Sequence, residues 1–307
     1  MITSIFSKSK PINFIIVFFI TLLAFIVASL KLTHEPINID FILEKSGLFA
    51  ISYISMWVLN FIVSKNNLVK NNNFEILIYS LFLLAIVQTT TNINMLCANF
   101  FVLLALRRIL SIRSQKNVNK KLFDAAFWIA IAALFYFWSI LFFALIIVAL
   151  VLYTDNKLNH WIIPFTGVLT VFIFVVSVSI LFHNDFFSAF KSLPEYSYDY
   201  SVYNSLPFLV AITMLFSFGV WSALFFIKSI KQKKKALRPS FNIVLFALIA
   251  AFLVVVFAPE KDGSEFIFMF APLAIIITNY IQVIQEKWFK EVFLLLLLLV
   301  PFIILVL

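Results

Sequence analysis

The sequence predicts an all-α protein, a polytopic transmembrane helical bundle of about nine full spans plus one re-entrant helical hairpin. Three observations carry that expectation. The 307 residues are 64% hydrophobic and only 12% charged, so most of the surface must face lipid rather than water. Apolar runs of membrane-crossing length recur along the chain, separated by short polar loops. Lys and Arg gather in alternate loops, the pattern of residues retained on the cytoplasmic side of a membrane.

The first run, Ile12 to Leu30, follows Lys8 and Lys10. It exceeds the roughly 7–15 residues of a signal-peptide core, and no small-x-small cleavage site follows, so it reads as a retained span. Gly47 to Ser64, Ile76 to Thr91 and Leu96 to Ile112 are the next three. Residues 123–153 are ambiguous, because about 30 helical residues extend roughly 45 Å, more than one crossing, while two spans would each be too short. A single crossing would place Lys228, Lys231, Lys233, Lys234, Lys235 and Arg238 outside, against the positive-inside rule. A re-entrant pair bending near Trp138 and Ser139, sheltered by protein, meets both limits. Trp161 to Leu181, Leu206 to Ile227, Ile243 to Ala258, Phe266 to Ile284 and Val292 to Leu307 complete the spans.

Residues 1–307 thus read as a single transmembrane domain with a cytoplasmic amino terminus and a carboxyl terminus that ends in the periplasm or within the outer leaflet. The cytoplasmic basic loops are 107–121 and 228–238, joined by Lys8 and Lys10, Lys65 and Lys70, Lys157, and Lys287 and Lys290. The outer loops are 33–46, 183–205 and 259–265. A net charge of +9 dispersed in short clusters is a topology signal, and no nucleic-acid partner is expected. Cys97 is the single cysteine, so no intramolecular disulfide can form.

Three outer segments hold the candidate chemistry. In the first, His34, Glu35 and Asp40 bring an imidazole and two carboxylates together, as a general base or as ligands for a divalent cation such as Mg²⁺ or Mn²⁺. The alternative is a solvated loop whose charges keep it out of lipid. In the second, Asp262-Gly263 marks a tight turn beside Lys261, and Glu265 opens a helix whose dipole favours a carboxylate, with Pro272 as a kink further on. The third holds Tyr196, Tyr198, Tyr200 and Tyr203 among Asp185, Glu195 and Asp199, either interfacial anchors or a face for sugar or peptide. Thr89, Thr90, Thr91, Asn92 and Asn94 close the third span, lining a wet cavity or bonding neighbouring helices. Ionisable residues are nearly absent from the spans, so no charged pathway is expected. Without a His-Glu-x-x-His, Walker, Gly-x-Ser-x-Gly or Cys-cluster motif, metalloprotease, NTPase and serine-hydrolase readings fall away.

The layout resembles the C-type glycosyltransferase superfold. An acidic first outer loop with Glu35 and Asp40, a basic loop leading into the 123–153 pair, and Glu265-Phe-Ile-Phe-Met-Phe-Ala-Pro272 carry the likeness. The resemblance implies sugar transfer from a polyprenyl-phosphate donor at the outer face, with Glu35 or Asp40 catalytic and Asp40 as the ligand of a divalent cation. His34, Asn92, Tyr196, Tyr198, Lys261 and Glu265 would then meet substrate. The chain also resembles an uncharacterised family of bacterial polytopic inner-membrane proteins, which implies a fold without an assigned activity. The outer loop is only about a dozen residues, short for the interface helices that hold a donor, and loops 33–46, 183–205 and 259–265 carry Lys45, Lys191 and Lys261 as their Lys or Arg residues. By subtraction the leading expectation is a non-catalytic component of a cell-envelope assembly on a reduced glycosyltransferase-like scaffold. Its partners would be membrane lipids and other envelope membrane proteins. The alternatives are an active transferase binding a polyprenyl-linked lipid, and a transporter of a lipid or other apolar substrate.

Overall fold

The computed structural model describes residues 2–32, 38–153, 158–183 and 195–307, and among them helices and turns occur without a strand. In chain order the helices are α1 (Ile2–Phe6), α2 (Pro11–Leu32), α3 (Ile39–Lys65), α4 (Phe74–Ala85), α5 (Ile93–Ser111) and α6 (Val118–Phe135). There follow α7 (Ala144–Tyr153), α8 (Leu158–His183), α9 (Leu206–Ile230), α10 (Arg238–Phe257), α11 (Ile267–Val283) and α12 (Lys287–Val306). Eight of the described helices are long and apolar enough to cross a membrane, so the chain is a multi-pass membrane protein. In lipid a helix is the form that satisfies every backbone group within one segment, which is why these apolar runs become helices.

Helix boundaries shift from the apolar runs wherever polar residues join a helix end. α3 starts at Ile39 and takes Asp40 into its first turn, where the helix dipole favours a carboxylate. Pro207 and Pro239 stand in the first turns of α9 and α10, positions that need no N–H. The expected span Ile76 to Thr91 is instead a 12-residue helix that breaks at Ile86 and continues as a 3-10 turn, Val87–Thr90. There Thr89, Thr90 and Thr91 hydroxyls donate to the carbonyls of Ile86, Val87 and Gln88 at 2.7, 2.7 and 2.8 Å, competing with the α-helical ladder.

Residues 123–153 run out and back. α6 ends at Phe135, a 3-10 segment spans Phe137–Phe143, and α7 returns, so that Gln115 Nε2 donates to the Tyr153 carbonyl at 2.7 Å. The turn lies far from that junction: Trp138 stacks on Phe257, with ring centroids 5.0 Å apart, at the end of α10. Both arms therefore run deep. α6 rises about 27 Å, and the return arm gains similar reach because 3-10 residues rise about 2.0 Å each.

Two helices form the centre. All twelve residues of α4 are buried, as are residues 267–281 of α11, and Tyr79 and Phe82 both pack on Phe270. The surrounding helices turn bulky apolar side chains outward, among them Phe165, Phe174 and Leu181 on α8. At one end the basic loops are knitted together. Asn73 N donates to the Phe6 carbonyl at 3.1 Å, Asn279 Nδ2 to Leu68 at 3.0 Å, Lys70 N to Gln282 Oε1 at 3.3 Å, and Arg113 to Asn66 at 3.1 Å. At the opposite end Lys31 Nζ donates to Leu305, so α2 and α12 finish side by side.

Candidate functional site

The end opposite the basic loops holds a compact buried polar group built on the turn between α10 and α11. Gly263 adopts φ +95°, and a Cβ there would stand 2.5 Å from Phe208, so only glycine fits. Asp262 Oδ1 accepts from Ser264 N at 2.8 Å and Ser264 Oγ at 2.6 Å, starting the short 3-10 turn Ser264–Phe266. Lys261 folds back over the end of α10. Its Nζ donates to the carbonyls of Val255, Val256 and Ala258 at 3.1, 2.9 and 3.0 Å, and it stands 4.7 Å from the Tyr200 ring centroid. Burial pushes the Lys261 ammonium pKa down, while the carbonyls and the helix C-terminus favour its charge.

Glu265 is fully buried. Its Oε2 accepts from Gly263 N at 3.0 Å and its Oε1 from the Tyr203 hydroxyl. The Tyr203 ring is itself fixed against Phe266 and Phe208, at centroid distances of 5.5 and 5.6 Å. From the hairpin turn Tyr136 lies against Phe268, its buried hydroxyl without a partner among the described residues and within electrostatic reach of Glu265, Asp262 and Glu260.

The other sequence candidates are scattered. Asn92 Oδ1 accepts from Asn94 N and Met95 N at 3.0 and 3.2 Å, capping α5. Thr89 and Thr90 are buried and bonded to their own turn, while Thr91 and Asn92 are half-buried and Asn94 is exposed. Tyr196 and Tyr198 are exposed, 5.6 Å apart, and Tyr198 reaches Phe257 at 6.5 Å. Asp40 is exposed, and no hydrogen bond or ion pair joins it to the Glu265 group among the described residues. His34 and Glu35 lie outside the described residues. Nor do three His, Cys, Asp or Glu side chains gather anywhere among the described residues.

Sequence reasoning missed Glu75. It stands one residue before an apolar run and so reads as a boundary charge, yet it is fully buried and neither carboxylate oxygen has a partner among the described residues. The available signal was helical spacing: Glu75, Tyr79 and Phe82 share one face of α4, and the latter two touch Phe270 of α11. Two turns beyond Phe270 on α11, the buried Thr278 hydroxyl also lacks a partner among the described residues.

Between α9 and α10 lies an apolar crevice of about 270 Å³. Its floor is Met269 and Leu273 of α11, and Phe216, Val220, Ile249 and Phe252 form its walls. Met269 is one helical turn from Glu265.

No curated protein and no solved structure matches the chain. Residues 1–306 match the family of unknown function DUF6427, and the chain belongs to that family.

Proposed function

We propose that the protein is a non-catalytic integral component of a cell-envelope assembly in the bacterial cytoplasmic membrane, amino terminus inside, built on a reduced glycosyltransferase-like scaffold. One observation supports this above the others: three of the four ionisable side chains of the 259–265 turn, Lys261, Asp262 and Glu265, are bonded within the chain, and the fourth, Glu260, is exposed. Lys261 directs its donors to α10, Asp262 binds Ser264, and Glu265 accepts from Tyr203 and Gly263, an arrangement that braces a turn and leaves the Lys261 ammonium no donor for a phosphate. The convergence of the basic loops on one end supports the orientation proposed.

A tagged chain isolated in mild detergent should bring down defined membrane subunits at constant stoichiometry, recovered again when a partner carries the tag. Restoration of the deletion phenotype by a Glu35→Gln/Asp40→Asn variant is the second expectation. Loss of an envelope glycan in that variant would make the chain a transferase and remove this reading. The apolar crevice between α9 and α10 favours a second reading, handling of a lipid chain. A lone monomer that retains polyprenyl lipid, and loses it when Gly219 at the crevice becomes Phe, would put that reading first.

A further inference from the structure

At the basic end the last turns of α3 and α5 and the first turn of α6 enclose a cavity of about 340 Å³. Lys65, Arg107, Arg108, Arg113 and Lys121 all line it. Among the described residues one carboxylate answers them, Asp124, paired with Arg108 at 2.9 Å. Arg113 is fixed by the Asn66 carbonyl at 3.1 Å, and Lys121 by Ser111 O and Ser114 Oγ, both at 2.6 Å. Arg107 lies over the Phe61 ring, 4.8 Å from its centroid. Lys65 and Arg107 have no carboxylate partner among the described residues.

The positive-inside rule explains why cations occupy this end, but not why five, from α3, α5, the turn after α5 and α6, converge on one hollow where, among the described residues, one acid pairs with them. Like charges so placed call for an anion. The approach to the hollow identifies its source. Ile54, Trp57 and Phe61 are exposed along one face of α3 at helical spacing, and that stripe ends at Lys65, with Phe61 forming part of the cavity wall. An apolar, outward stripe that leads to a cationic hollow at the helix end matches the two parts of one molecule, acyl chain and phosphate head.

We propose that this cavity is a binding site for the headgroup of an anionic phospholipid. The phosphate accepts from Arg107 and Lys65, while its acyl chain lies along Ile54, Trp57 and Phe61. Arg108, Arg113 and Lys121, each already oriented by a bond of its own, form the back of the site. The inference is independent of the reading given to the outer end.

The test uses the full chain in nanodiscs of phosphatidylcholine with increasing phosphatidylglycerol, the lipid retained after detergent extraction being counted by native mass spectrometry. Wild type should retain phosphatidylglycerol in preference to phosphatidylcholine. Each basic group beside an anionic head contributes about fivefold, so Lys65→Gln/Arg107→Gln should lose about 30-fold in preference. Lys234→Gln/Lys235→Gln, an equal charge loss in another basic loop, should keep it. Equal losses in both variants would mean diffuse surface attraction, and the site would be abandoned. Absence of any preference in wild type would do the same, and needs no variant to fold. Displacement of phosphatidylglycerol by millimolar inorganic phosphate or diphosphate, with no effect of chloride at matched ionic strength, would assign the cavity to a soluble anion and overturn the lipid proposal.

Discussion

Each donor of the Lys261 ammonium ends on a main-chain carbonyl, and the Glu265 carboxylate takes one hydroxyl and one N–H. Glu75, buried as deeply, has no partner for either oxygen among the described residues. The two glutamates should therefore respond oppositely to the same substitution. Glu265→Gln puts an amide N–H₂ where Gly263 N–H or the Tyr203 hydroxyl needs an acceptor, and should lower stability by about 1–3 kcal/mol. Glu75→Gln keeps the shape and replaces an ionisable group that the apolar interior penalises with a neutral amide, so it should match or exceed wild type. Thermal unfolding of both variants in one detergent checks the contrast; an equal fall in Glu75→Gln would mean that its carboxylate has an ionic partner. At this scale the sequence is least informative. It supplies Lys261, Asn92 and Glu265 as polar residues at an outer surface, but a cap and a ligand use the same atoms, and which carbonyl or hydroxyl they meet depends on how α10, α11 and the hairpin turn come together.

Apolar length alone locates most of the helices, because hydrocarbon thickness sets both the minimum run and its ends. It is blind to local competition. The Thr-rich stretch 89–91 looks like the end of a span by hydropathy, yet its hydroxyls capture the carbonyls that an α-helix would use, and the helix stops at Ala85. It also misses helix extension into water, as at Asp40 on α3. Close packing is hidden in the same way, since a chain with four glycines offers few small-residue faces. One of them, Gly167, lies where α8 meets α6. A Cβ there would stand 2.8 Å from the Phe123 carbonyl and 3.1 Å from Ala126 Cβ, backbone and short side chain that cannot swing away. Gly167→Leu should force the two helices apart and cost about 1–3 kcal/mol. Gly47 is the natural control, since a Cβ there meets nothing within 4 Å, and Gly47→Leu should melt with wild type. Equal melting of both variants would show that α6 and α8 have room to separate without loss.

The whole molecule is ordered by one alternation: successive helices carry the chain between an end rich in lysine and arginine and an end rich in tyrosine and acid. The 123–153 hairpin preserves it, because Gln115 and Tyr153 meet while Trp138 stands with Phe257. Had that segment crossed once, everything from α8 onward would be inverted. Single-cysteine accessibility decides the matter in a Cys97→Ser background, which removes the only native thiol. Lys116 and Asn159 flank the hairpin, Lys234 lies in the longest basic run, and Asp40 and Tyr198 lie toward the other end. With a membrane-impermeant maleimide on intact cells, Asp40→Cys and Tyr198→Cys should label at once. Lys116→Cys, Asn159→Cys and Lys234→Cys should label only after permeabilisation. The pair across the hairpin is the discriminating measurement, because Lys116 and Asn159 share a face in the folded chain and would be on opposite faces after a single crossing. Labelling of one without the other would separate α6 from α7 across the membrane, and with it the basic end on which both the lipid site and the inward amino terminus depend.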